Sequence, residues 1–128
     1  MTFAVFDKKL PLIVVPVSIK TGNIIKDFKF AVDTGASVSL IDIDMLYSLG
    51  YKKENCIRTI QTITASKGEK AYEFNIDNIS AIGLIRRNFK VISRALPIGL
   101  GIDGLLGLNF FKNKELTIDF KSSEIRIK

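Results

Sequence analysis

The stretch FAVDTGASVSLI, residues 30–41, places one carboxylate, Asp33, at the end of an apolar run. Thr34 and two small residues, Gly35 and Ala36, follow it directly. A glycine lets the backbone turn sharply and approach the preceding carboxylate closely, which a larger side chain would block. The pattern predicts either a plain turn after a buried strand or a carboxylate held for proton transfer, and the rest of the sequence must decide between them.

Length and composition limit the chemistry that is available. The chain has 128 residues, which predicts a single domain, residues 1–128, large enough to bury a core. Cys56 is the only cysteine and there is no histidine, so an internal disulfide and the Ser–His and Cys–His nucleophile pairs are excluded. We expect no metal and no organic cofactor, and acid–base chemistry falls to carboxylates, Lys or Tyr.

The longest apolar run, residues 10–19, is too short for a membrane-spanning helix and contains Pro11 and Pro16. We interpret it as a strand, and we expect a cytoplasmic protein with no membrane contact. The net charge of +6 comes from 19 basic residues scattered among 13 acidic ones, which indicates a solvated surface more than a nucleic-acid site.

Alternating apolar residues predict strands along most of the chain. The predicted strand pairs are a hairpin of 10–19 with 27–32, a longer hairpin over 56–76 that turns at 65–68, strands 78–83 and 88–93 around a polar bend at 84–88, and a hairpin over 116–128 closed at 121–123. A further strand covers 37–41, and short helices cover 42–51, between Asp42 and Gly50, and 108–112. The expected fold class is all-β, a closed or partly closed barrel with one or two short helices.

Three features now stand in a fixed order: Asp33-Thr34-Gly35 after a strand, a long hairpin, and the loop Leu105-Leu106-Gly107 near the end. In that order the chain resembles the retropepsin-like aspartic proteases, the single-domain relatives of pepsin. VDTGAS at 32–37 and DGLLGLNFF at 103–111 match the two family motifs, and the resemblance extends from about residue 14 to residue 127.

The resemblance implies a role for each motif residue. Asp33 is the catalytic carboxylate, and Thr34, Gly35, Ala36, Leu105, Leu106 and Gly107 support its loop. The hairpin tip, Ala65, Ser66, Lys67 and Gly68, is the flap that holds the substrate. No metal belongs to such a site.

Amide hydrolysis by carboxylates needs two of them, one to deprotonate the attacking water and one to protonate the carbonyl oxygen. This chain carries one Asp-Thr-Gly, so the second must come from another copy, and a two-fold homodimer is implied. The resulting hypothesis is an aspartic endopeptidase that cleaves extended peptide or protein segments. The alternative is a non-catalytic module of the same fold that binds a peptide or dimerises.

A third hypothesis, a basic barrel that binds single-stranded nucleic acid, lacks an aromatic platform because the chain has no Trp and its Phe residues alternate as core residues do. We interpret Asp103 as a turn carboxylate bonded to nearby amides, Cys56 and Tyr72 as packing residues, and 86–87 as a solvated bend. Because 116–128 form their own hairpin, the interleaved terminal sheet of the viral dimers is not assumed.

Overall fold

A computed structural model describes residues 1–61 and 70–128 of the chain. The strands in this part are β1 (Thr2–Val5), β2 (Val14–Thr21), β3 (Ile24–Val32), β4 (Ser39–Asp42), β5 (Arg58–Gln61), β6 (Lys70–Ala81), β7 (Leu84–Arg94), β8 (Gly104–Leu106), β9 (Leu116–Asp119) and β10 (Glu124–Ile127). The helices are α1 (Ile43–Ser48) and two 3₁₀ helices, Lys53–Asn55 and Leu108–Phe111.

The main sheet closes on itself. Its strand order is β2-β3-β8-β4-β7-β6-β5, and an additional pairing of β2 with β6 closes the first six strands into a barrel. The long strand β6 makes this possible, because one of its edges pairs with β5 at one end and with β2 at the other. Alternate residues of the six barrel strands point inward and fill the core, which confirms the predicted all-β barrel.

The predicted helices are confirmed, with shorter bounds for the first. The carboxylate of Asp42 accepts a hydrogen bond from the Asp44 backbone N–H at 3.1 Å and caps the start of α1. Leu46 and Leu49 bury the inner side of this segment in the core, and Gly50 adopts a positive φ of 94° just after it. The second predicted helix is the 3₁₀ helix Leu108–Phe111.

The predicted polar bend at 84–88 is wrong. Residues 84–88 lie within β7, and the real turn is Ile82-Gly83, where both residues have a positive φ, 54° and 73°, as in a tight type I′ hairpin. The guanidinium of Arg86 donates hydrogen bonds to the carbonyl oxygens of Phe110 and Lys112, so Arg86 is not a merely solvated residue. Asn88 has a positive φ of 48°, and the pairing of β7 with β6 is interrupted at this residue, between Arg87 and Phe89.

The first predicted strand is also corrected. β2 begins at Val14 and not at residue 10, because the Asp7 carbonyl and carboxylate hold residues 9 and 10 in a turn. β2 lies between β3 and β6 and is therefore not an edge strand. Pro16 is tolerated because the pairing of β2 with β6 begins only at the next residue, Val17.

The chain termini form a separate three-stranded sheet in the order β1-β10-β9, which confirms the predicted terminal hairpin. The backbone N–H groups of Ser122 and Lys121 donate to Asp119 in the tight turn, and these hydrogen bonds lower the pKa of that carboxyl group. Since β10 pairs with β1 and β9 of the same chain, both of its edges are already occupied. The predicted hairpin tip at 65–68 lies outside the described residues, while its base, β5 paired with β6, is present.

Gly104 sits where three strands meet. It lies in β8, opposite Phe30 of β3 and Ile41 of β4, and it is buried. A Cβ atom at this position would stand 2.5 Å from Cε2 of the Phe30 ring and would overlap the carbonyl oxygen of Leu40. No side chain fits there unless the barrel wall moves.

We therefore predict that Gly104→Ala lowers the free energy of unfolding by about 3 kcal/mol or more, measured by urea denaturation. Gly101→Ala is the matched control, because Gly101 has a positive φ of 71° but no atom within 4 Å of an added Cβ. The control should lose only about 1–2 kcal/mol, the cost of a left-handed backbone for alanine. Equal losses in the two variants would contradict this packing argument.

Candidate active site

The site forms where the chain crosses over the end of a strand. β3 and β4 follow one another in the sequence, yet β8 lies between them, parallel to β3 and antiparallel to β4. The connecting loop, residues 33–38, therefore has to pass over the end of β8 at Gly107. This crossing brings the two sequence motifs, 32–37 and 103–111, into contact, as the sequence predicts.

Asp33 is held at this crossing by its backbone. Its N–H donates to the Leu106 carbonyl oxygen at 2.9 Å, and its carbonyl oxygen accepts from the Ala36 N–H at 3.2 Å. Its half-buried carboxylate accepts the Gly35 N–H through Oδ1 at 3.0 Å. A Cβ at Gly35 would lie 3.2 Å from the same oxygen, so the small residue permits the close approach.

Gly107 leaves no space between the crossing segments. A Cβ atom there would stand 2.8 Å from the carbonyl oxygens of Ala36 and Val38. The backbone N–H of Leu108 donates to the Ala36 carbonyl oxygen at 2.8 Å, which ties the two segments together on the far side of the glycine. The requirement for glycine here is therefore steric.

A polar pair, Ser39 and Asn109, holds the two crossing segments together through hydrogen bonds, and sequence reasoning missed both residues. Asn109 Oδ1 accepts hydrogen bonds from the backbone N–H and the hydroxyl of buried Ser39, both at 2.8 Å. Ser39 Oγ in turn accepts the Gly107 N–H at 2.9 Å, and Asn109 Nδ2 donates to the Lys90 carbonyl oxygen at 2.8 Å. The only available signal was a polar residue two positions after the loop glycine.

The two leucines of the loop have different surroundings. Leu106 is fully buried and packs in the core, whereas Leu105 is half-buried on the opposite face of the sheet. Leu105 pairs with Ala31 of β3, and Asp33 follows Ala31 by two residues, so alternation puts Leu105 and Asp33 on the same side. Of the two leucines that the resemblance implies as supports of the Asp33 loop, Leu105 therefore lies on the same side of the sheet as the carboxylate, and Leu106 lies in the core.

The other residues singled out in the sequence have structural contacts. The Asp103 carboxylate accepts the Lys29 backbone N–H at 2.9 Å, so it bonds an amide of the neighbouring strand and not one in its own turn. Tyr72 and Cys56 are half-buried and pack against the core, as predicted. Thr34 is exposed at the loop.

Within residues 1–61 and 70–128, no group of three or more His, Cys, Asp or Glu side chains is arranged to hold a metal ion. No helix in the same described ranges is long and apolar enough to cross a membrane. Among the described residues, the crossing offers the Asp33 carboxylate, the loop amides and the apolar side chain of Leu105.

Comparison with known proteins agrees with this geometry. The model of the aspartyl protease family matches residues 15–110. A retropepsin-like aspartic protease from Rickettsia conorii, known from its crystal structure, superimposes with a TM-score of 0.71 at 20% identity, over 96% of this chain and 86% of that one. The retroviral protease-like domain of Ddi1 from Leishmania major gives a TM-score of 0.52 at 18% identity, over 93% and 95% of the two chains.

No curated protein matches the sequence significantly. The family match spans well over half of the chain and includes the first motif and all but the last residue of the second, so the chain belongs to the aspartyl protease family. The structural neighbours show that its barrel has the retropepsin-like fold.

The Ser39–Asn109 pair generates a stability prediction. Asn109→Ala removes one acceptor and one donor, which leaves the polar groups of Ser39 and the Lys90 carbonyl oxygen without these partners. We expect a loss of about 2–3 kcal/mol in the free energy of unfolding, the cost of unsatisfied buried polar groups. Asn75→Ala, at an exposed strand position, is the control and should change stability by less than about 0.5 kcal/mol. An Asn109 variant as stable as the control would show that the pair does not stabilise the crossing.

Proposed function

We propose that this protein is an aspartic endopeptidase and that Asp33 is its catalytic residue. The observation that supports this most directly is the position of the Asp33 carboxylate at the crossing, half-buried and bonded to the Gly35 N–H. A carboxylate in that place can accept a proton from a water molecule while the apolar side chain of Leu105 lies on the same side of the sheet. Membership of the aspartyl protease family points to the same chemistry.

The proposed reaction requires a second carboxylate. One carboxylate takes the proton of the attacking water while the other, protonated, donates to the carbonyl oxygen of the scissile peptide bond. Two carboxylates about 3 Å apart cannot both be ionised, so they share a proton and titrate as a pair. Each chain contains one Asp-Thr-Gly, so we propose a homodimer with the two Asp33 side chains on its two-fold axis.

The surface around Asp33 is suited to such a dimer. Thr34 and Gly35 are exposed at the tip of the loop, and Leu108, which is 50% exposed, is hydrogen-bonded through its backbone to Ala36. An exposed leucine this close to the loop would be covered by a second copy that brings its own Asp33 alongside. β10 is already paired on both edges within the chain and cannot add a second copy, and we place the dimer contact at the Asp33 loop.

A mainly apolar cavity of about 600 Å³, whose lining also includes Asp7 and Lys29, supports a peptide substrate. Its lining includes Leu10, Leu12 and Leu100, and also Val14, the cross-strand partner of Ala31. Since Ala31 precedes Asp33 by two residues, an apolar side chain next to the scissile bond could occupy this cavity. An extended peptide would place its other side chains along the same side of the sheet.

The first test of the proposal is Asp33→Asn, which should abolish peptide hydrolysis while the protein stays folded, since an amide of the same shape cannot act as the base. Cleavage of a peptide library would be followed by mass spectrometry, and folding by circular dichroism. Asp103→Asn is the control, because Asp103 bonds a strand amide and should be dispensable for turnover. An Asp33 variant with most of its activity, or a folded Asp103 variant with none, would refute the assignment.

The dimer is tested with Leu108→Glu. Two new carboxylates close to the two-fold axis should repel each other and shift the protein to monomer, with hydrolysis reduced at least about tenfold at low protein concentration. Ile25→Glu is the matched control, because Ile25 is 62% exposed at the other end of the strand that leads to Asp33. Analytical ultracentrifugation and activity would be measured on both variants. Full activity of a strictly monomeric protein would rule out the paired mechanism.

A further inference from the structure

A charged cluster, Arg58, Glu73 and Lys90, has no part in the proposed reaction. The Glu73 side chain is only 6% exposed. Its Oε2 accepts a hydrogen bond from Nε of Arg58 at 3.2 Å, and its Oε1 accepts one from Nη2 of Arg58 at 3.4 Å. Nζ of Lys90 lies 3.7 Å from Glu73 Oε1, the oxygen that also accepts the hydrogen bond from Nη2 of Arg58. The side chains of Arg58 and Lys90 are 67% and 54% exposed, so the negative charge is buried and the positive charges face outward.

Two cations around one carboxylate leave the charged cluster with one net positive charge. A single arginine would already neutralise Glu73, so the second cation exceeds what burial of this carboxylate requires. A guanidinium has five N–H groups, and the contacts among the described residues use two of those of Arg58. The charged cluster can therefore bind a second carboxylate.

The strand register places the charged cluster on the side of the sheet that carries Asp33. Cross-strand partners share a face, and the pairs Ala31–Leu105, Leu105–Leu40, Leu40–Ile92, Ile92–Glu73 and Glu73–Arg58 form one continuous row across the sheet. Asp33 follows Ala31 by two residues, and Lys90 precedes Ile92 by two, so both alternate onto this same face. We call it the cleft face.

The distance between Asp33 and the charged cluster suits an extended peptide that spans both. Adjacent strands lie about 4.8 Å apart, and β7 is the third strand from β3, so the backbones at Lys90 and Asp33 are roughly 14 Å apart. An extended peptide advances about 3.3 Å per residue, and a lysine side chain spans part of the remaining distance. Residues two to four positions from the scissile bond therefore come within reach of the charged cluster.

The side chains between the two sites are apolar. Leu105 and Ile92, which are half-buried, and Leu40, which is 9% exposed, lie on the cleft face from β8 to β7, and none of them can bind a charged group. A substrate carboxylate would be left without a partner over this stretch and would find one at Arg58 and Lys90. Because only the end of this stretch offers cations, an acidic side chain would be favoured only at the peptide positions that lie beside Arg58 and Lys90.

We propose that the charged cluster is a distal substrate subsite that prefers an acidic side chain, Asp or Glu, two to four residues from the scissile bond. This inference rests on the proposed function, since it assumes that a peptide lies along the cleft face. Glu73 positions the two cations, and Arg58 and Lys90 contact the substrate carboxylate.

The test uses decapeptide libraries that are identical except for Glu or Gln fixed at one position at a time. The wild-type protein should cleave the Glu peptides about two- to fivefold faster in kcat/KM at one or more positions two to four residues from the cleaved bond, as expected for one exposed ion pair. High salt should reduce this preference. Equal rates at all of these positions would overturn the proposal.

Two substitutions should move the preference in opposite directions, which a merely structural role would not produce. Lys90→Gln removes one cation and should bring the Glu-to-Gln ratio close to one, whereas Glu73→Gln removes the competing carboxylate and should raise the ratio. Lys121→Gln, an exposed lysine in the turn of the terminal sheet, is the control and should leave the ratio unchanged. The same ratio in the Lys90 variant and the control would count decisively against the subsite.

Binding to the Asp33→Asn protein separates this inference from the endopeptidase proposal. The Glu and Gln libraries are passed over the immobilised variant, and the retained peptides are quantified by mass spectrometry. Preferential retention of Glu peptides, lost when Lys90→Gln is added, supports the subsite whether or not the wild type cleaves. Equal retention, or none, overturns it. Charge-selective binding by a wild-type protein that hydrolyses nothing would refute the endopeptidase proposal alone.

Discussion

The structure depends on one crossing, at which the loop 33–38 passes over the end of β8. Because β8 is inserted between two strands that are consecutive in sequence, the loop cannot avoid the chain that leaves β8. Gly107 lets the two backbones touch, and the bonds of Leu106 to Asp33 and of Leu108 to Ala36 hold them on either side. The position of the Asp33 carboxylate is therefore set by backbone contacts, which resist displacement better than side-chain packing alone.

The two faces of the barrel wall, one toward the core and one on the cleft face, have different environments. Alternation along each strand sends Phe30 and Leu106 into the core and leaves Leu105 on the cleft face. A peptide along that face would meet apolar side chains near Asp33 and the charged cluster farther away. Chemistry and substrate selection would then be carried by one continuous sheet, and the rigid wall would fix the distance between them.

The sequence predicted the barrel from the period-two alternation of its apolar residues, and the resemblance of its two motifs to those of the retropepsin-like proteases implied that the motifs meet. The sequence did not predict the features that depend on pairing between residues far apart in the chain. The bend predicted at 84–88 is a strand, since the left-handed pair Ile82-Gly83 provides the turn and β6 pairs with residues 84–87 and 89–93 of β7. The Asn109 contacts span 70 and 19 residues of sequence, so no local pattern could have indicated them.

The pairing of two Asp33 carboxylates across a homodimer is tested most directly by a crystal structure of the assembled protein. The protein would be bound to a peptide analogue that has a hydroxyl group in place of the scissile carbonyl. We expect a two-fold dimer in which the hydroxyl lies about 2.6–3.2 Å from an Asp33 carboxylate oxygen of each protomer. Asp33 side chains far apart in the two protomers, or an analogue bound away from both, would contradict it.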